Sequence, residues 1–162
     1  MKVTRREFVG MTAAALAAAP GAVERTEATF TVTLELLEEW GACERAVKWF
    51  VETYPKGITD TMAGLVARIP EDWPYDALWL LHQVAKRSGG PEGEDAYRLL
   101  VEKADPSRLA NAVLELDTRD TSAALDRLVA SGDAAQLERV ARDGKGEAKT
   151  RAEAALTAKG VV

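Results

Sequence analysis

The chain has 162 residues, 26 acidic against 21 basic side chains, and a formal net charge of −5. That length suits one domain with a real hydrophobic core, and the acidic balance, with no stripe of Lys and Arg, argues against nucleic acid as a partner. A single cysteine, Cys43, excludes an internal disulfide, and a single histidine, His82, supports no metal site by itself.

In chain order the first segment has a basic head with Arg5 and Arg6, an Ala-rich apolar run from Phe8 to Ala19, and then Pro20-Gly21. This is the layout of a secretory leader. Through Thr4, Arg5, Arg6, Phe8 and Val9, residues 1–22 resemble a twin-arginine (Tat) leader. The resemblance implies the Tat export machinery as a partner, a cut near Gly21 and a periplasmic or exported protein. The apolar run is shorter than the roughly 20 residues a bilayer span needs, so no transmembrane span is expected in the mature chain. The alternative is an N-terminal hydrophobic helix that is retained and docks on a partner, leaving the chain cytoplasmic or complex-bound. Residues 23–31 read as a polar tether.

Helical spacing then takes over. Thr33 is a cap for a helix carrying Leu34, Leu36 and Leu37, and Gly41 is its stop. The spacing predicts a second helix from about Ala42 to Tyr54, with Cys43, Ala46, Val47 and Phe50 at i, i+3, i+4 and i+7. Thr59 or Asp60 caps a third, with Met62, Leu65, Val66 and Ile69 inward. A fourth spans about Tyr75 to Arg87, with Leu78, Leu81 and Ala85 on one face and Trp79, His82 and Lys86 on another. Ser88-Gly89-Gly90-Pro91-Glu92-Gly93 is the main internal break. Beyond it come helices at about 94–104, 107–116, 121–131, 133–143 and 147–159, with Asp105-Pro106 and Gly132-Asp133 as start and stop signals. No run of alternating apolar residues predicts a sheet.

The expected fold is therefore all-α, a compact helical domain of short antiparallel helix pairs. All four tryptophans precede residue 80 and no aromatic follows Tyr97. That texture divides the chain into a Trp-rich helical subdomain at 32–88 and an Ala/Leu-rich helical stack at 94–160. The later helices are similar in texture to HEAT-type arrays; an irregular bundle is the other form.

The segment Trp40-Gly41-Ala42-Cys43, followed by Trp49-Phe50 and Tyr54-Pro55, resembles a Gly-Ala-Cys/Trp-Phe helical motif of uncharacterised bacterial and phage proteins. The resemblance covers residues 31–86 and carries no activity with it. Cys43 has two readings. Helix starts favour thiolates, so it is a candidate nucleophile. Its place in the apolar stripe makes it instead a small hydrophobe, and this second reading is preferred. His82 is expected half-exposed. Glu35, Glu38, Glu39, Glu44 and Glu52 read as solvated faces.

No phosphate cradle, paired-His helix motif or nucleophile elbow is present, so no catalytic residue, cofactor or metal ligand is assigned. The aromatic set Trp40, Trp49, Trp73, Tyr75 and Trp79 is the candidate interface, since Trp and Tyr anchor protein contacts; packing across helix junctions is the competing role. The leading expectation is a non-catalytic exported binding or accessory protein with a protein partner. The alternatives are a small enzyme using Cys43 or a carboxylate pair, and a structural subunit of a larger complex that keeps its N-terminal helix.

Overall fold

A computed structural model describes residues 28–116 and 120–160. The expected leader and residues 23–27 of the expected tether lie outside the described residues. Strand β1 (Thr29–Val32) leads into α1 (Leu34–Glu39) and α2 (Glu44–Thr53), and β2 (Ile58–Thr61) follows. Then come α3 (Met62–Arg68), α4 (Pro74–Arg87), α5 (Pro91–Lys103) and α6 (Pro106–Glu115). The chain continues through α7 (Ser122–Ser131), α8 (Ala134–Asp143) and α9 (Gly146–Ala158). The described residues thus form a compact, mostly all-α domain.

Side chains at the predicted starts account for several helix ends. Thr33 Oγ1 accepts from the Leu36 N–H at 3.3 Å, Asp105 Oδ1 from Arg108 at 2.9 Å, and Asp133 Oδ1 from Gln136 at 3.1 Å. Each satisfies one of the orphan donors of a first turn. Pro74, Pro91 and Pro106 open their helices, where a missing N–H costs nothing. At α7 the N-cap Thr121 makes no side-chain cap bond, and Asp120 Oδ1 accepts from the Ser122 N–H at 2.9 Å. The Tyr97 hydroxyl of α5 accepts from the Ala124 N–H at 3.2 Å as well, so the last aromatic of the chain helps cap a helix two elements away.

The two strands correct the expectation of no sheet. They pair antiparallel, from Thr29 opposite Thr61 to Val32 opposite Ile58, and the Thr31 and Thr59 hydroxyls meet at 2.7 Å. The pair takes up the last residues of the expected tether and clips together the two ends of the α1–α2 unit. Gly57 makes the approach possible: its φ is +78°, and a Cβ there would lie 2.9 Å from the Val32 carbonyl oxygen. Thr61, rather than Thr59 or Asp60, caps α3, accepting from the Gly64 N–H at 3.1 Å.

Packing follows sequence neighbours: α4 lies on α5, α6 on α7, and α8 on α9, with α6 also touching α8. The glycine-rich break is shorter than expected, because α5 starts at Pro91 and Gly93 is buried within it. The α4–α5 contact therefore bridges the predicted division, and one continuous core runs from Val32 to Leu156.

Candidate functional site

One cleft of about 360 Å³ opens on the aromatic side of the molecule, within the roughly 300–1,000 Å³ range of ligand pockets. Its walls come from elements distant in sequence. Helix α2 contributes Cys43, Ala46, Trp49 and Phe50. The start of α4 contributes Trp73, Tyr75, Asp76 and Trp79. The end of α3 contributes Arg68 and Ile69, and α6 contributes Arg108.

The local sequence explains these directions. The apolar stripe of α2 buries Phe50, and Trp49, one position earlier, is rotated about 100° from it towards the cleft. Its ring meets Tyr54 edge-on at 5.8 Å and Trp73 at 5.8 Å, in the arrangement that the ring quadrupole favours. Trp73 and Pro74 form the entry to α4, and the turn sets Tyr75 outward, 65% exposed.

Charged groups at the rim tie these walls together. The Arg45 guanidinium lies 4.0 Å from the Trp73 ring centroid and 2.5 Å from Asp76 Oδ2. Asp76 stands in the first turn of α4, where the helix dipole favours an anion. Arg68 donates to Asp60 at 2.9 Å through Nε and lies 2.7 Å away through Nη2. That hydrogen bond is the main reason the Asp60 carboxyl sits below its ordinary value, with the Thr61 N–H adding to it. Arg108 reaches across from α6, its guanidinium 5.5 Å from the Tyr75 ring. No ion pair among the described residues neutralises it, and the Asp105 carboxylate three positions earlier is turned to the Arg108 backbone N–H.

The structure brings Trp49, Trp73, Tyr75 and Trp79 of the candidate interface to this cleft and leaves Trp40 apart. Trp40 stacks on Phe30 of β1 at 6.0 Å, with Arg87 over its ring at 5.3 Å. Cys43 corrects the sequence reading. It is the N-cap of α2 with extended backbone, exposed at the cleft rim, its Sγ 3.8 Å from Asp76 Oδ1. An N-cap residue lies outside the helical φ/ψ region, so the periodicity that put it on the buried stripe does not reach it.

His82 is a second correction. It is buried rather than half-exposed, with Nε2 3.4 Å from Glu115 Oε2, which also lies 3.4 Å from Lys86 Nζ. Burial holds the imidazole below its ordinary value, more strongly than Glu115 raises it, and Lys86 and Arg108 push the same way as burial. Its partner is Glu115, not the Cys43 thiol. Glu35, Glu38, Glu39, Glu44 and Glu52 are all exposed, and Asp76 is the carboxylate the described cleft carries. Among the described residues no group of three His, Cys, Asp or Glu side chains is placed to hold a metal ion, and no helix is long and apolar enough to cross a membrane.

Arg108 was missed by sequence reasoning. The signal that could have found it is its place at the third position of a proline-opened helix, where a cation opposes the helix dipole. Comparison with known proteins finds no matching family model, no matching curated protein and no matching solved structure.

Proposed function

We propose that this chain is a non-catalytic, exported binding module whose aromatic cleft receives an apolar side chain of a protein partner. The observation that carries the reading is the convergence of Trp49, Trp73, Tyr75 and Trp79 on one open cleft. Rings left half-exposed around a pocket are what interface anchors use, because a side chain that fills it gains apolar contact at little ordering cost. Export is supported by Thr4, Arg5, Arg6, Phe8 and Val9 alone.

Selection of a displayed random-peptide library on the full chain tests the binding role. Recovered peptides are expected to share an apolar anchor, and Ala46→Phe, which fills the cleft without removing a ring, is expected to abolish their binding. Peptides that bind the filled variant equally well refute the cleft as the site. Intact mass with cell fractionation tests export. A mass matching residues 22–162 outside the cytoplasm is expected, and full-length protein held in the cytoplasm overturns it.

Cys43 favours a second reading, a small enzyme, because its exposed thiol stands beside Asp76 at the same cleft. Cys43→Ala distinguishes the two: an unchanged peptide profile fits the binding module, and loss of a turnover with an unchanged melting curve fits the enzyme.

A further inference from the structure

We infer that the partner segment entering the aromatic cleft carries a carboxylate beside its apolar anchor, and that Arg108 holds this carboxylate at the mouth. The inference rests on the reading of the cleft as a protein-docking site. Charge balance is the first support. Arg45 is neutralised by Asp76 and Arg68 by Asp60, whereas no ion pair among the described residues engages Arg108. Among the described residues the rim thus keeps one surplus cation on a chain whose net charge is −5, and the attraction for an anion there is local.

Burial is the second support. Arg108 is half-buried, forms part of the cleft wall and lies over Tyr75. A guanidinium drawn against apolar surface gives up water, and a carboxylate in its plane replaces that water with two parallel charge-assisted hydrogen bonds. Position is the third. Arg108 occupies the first turn of α6, whose dipole disfavours a cation, so the helix itself gives no reason for a basic residue there. The distribution of chemistry along the cleft then specifies the occupant: rings of α2 and α4 for an apolar side chain, and a single fork from α6 for a nearby Asp, Glu or terminal carboxylate.

The test compares two fluorescent probes on the full chain: anilinonaphthalene sulfonate, and phenylnaphthylamine, which keeps the rings and lacks the anion. The sulfonate is expected to bind at least about tenfold more tightly, the equivalent of one good charge-assisted contact. Arg108→Gln is expected to remove that preference and leave the neutral probe unaffected, and Arg108→Lys is expected to restore part of it. Equal binding of the two probes, or a preference that survives Arg108→Gln, overturns the inference and leaves the cleft as a purely apolar docking site. Binding of neither probe, or binding indifferent to Ala46→Phe, overturns the docking site itself. Should Arg108→Gln fail to fold, the Arg108→Lys variant carries the comparison. An acetylated, amidated peptide of alternating leucine and aspartate is expected to displace the sulfonate, and its asparagine counterpart is not. Displacement by neither peptide, with Arg108-dependent sulfonate binding intact, overturns the protein partner in favour of a free amphipathic anion.

Discussion

The two ends of this molecule solve the same packing problem with different side chains. Beyond Tyr97 the helices meet through Leu, Val and Ala, and Leu100, Leu109, Leu116, Leu128, Leu137 and Val140 are all sealed from solvent. From β1 to the start of α4 the chain uses rings, and Trp40, Trp49, Trp73 and Trp79 are only partly buried. Small side chains let short helices approach closely and fill the space between them. The rings of α2 and of the start of α4, Trp49, Trp73, Tyr75 and Trp79, pack less closely, and the space among them is the cleft. The same feature that makes the first region an inefficient core makes it a receptive surface.

Substitutions can break that contrast. The largest effect is expected for Leu128→Ala in α7, which leaves a cavity in the sealed stack and should cost about 2–5 kcal/mol in urea unfolding. Trp73→Ala deletes a larger side chain yet should cost only about 1–2 kcal/mol, the worth of its ring and cation contacts, while eliminating ligand binding. If Trp73→Ala proved as damaging as Leu128→Ala, the rings would be core and the cleft incidental. Helix caps should be indifferent to region: Thr33→Ala and Asp105→Ala are each expected to lose about 1 kcal/mol by the same measurement. Unequal losses would locate the difference in the helices themselves rather than in what lies between them.

The smallest effect concerns His82, at the seam between α4 and α6. Its folded value lies below the ordinary 6.5, so the unfolded chain takes up the proton first as the pH falls. Stability is therefore full above that ordinary value and declines as pH drops through it, levelling once the folded imidazole is itself protonated. The urea midpoint should show this slope in the wild type and lose it in His82→Leu. A slope of opposite sign would mean that Glu115 outweighs burial.

Much of the helical stack was legible because its signals are local. Asp105-Pro106, Gly132 and Asp133 each satisfy or relieve a backbone group within a few residues, and the ends of α6, α7 and α8 fall within a residue or so of their expected places. The strands were not legible, since four-residue segments such as Thr-Phe-Thr-Val show an alternation too short to separate from a loop, and their reason for pairing lies on the other strand. His82 was misplaced because its face of α4 carries Trp79 and Lys86, which read as solvated and stay at least partly so, while α6 brings Glu115 against the imidazole. The site was half legible. Composition exposed an excess of rings before residue 80, but convergence of four of them, and the arrival of Arg108 from a helix beyond the predicted division, depend on tertiary packing that periodicity does not encode.

The β1–β2 clip has a kinetic consequence. Its two four-residue strands seal only Val32, and the Thr31–Thr59 hydroxyl contact is exposed, whereas α6 to α8 bury Leu109, Leu128, Leu137 and Val140; a segment with few buried contacts opens at lower cost. The clip, with α1 and α2 enclosed by it, is therefore expected to reopen before the stack. Amide exchange in native buffer should be fastest across Thr29–Thr61 and slowest in α6 to α8. The cleft is built partly from α2 inside that loop, so a ligand bound there is expected to hold the clip closed, read as slower exchange at Val32 and Ile58.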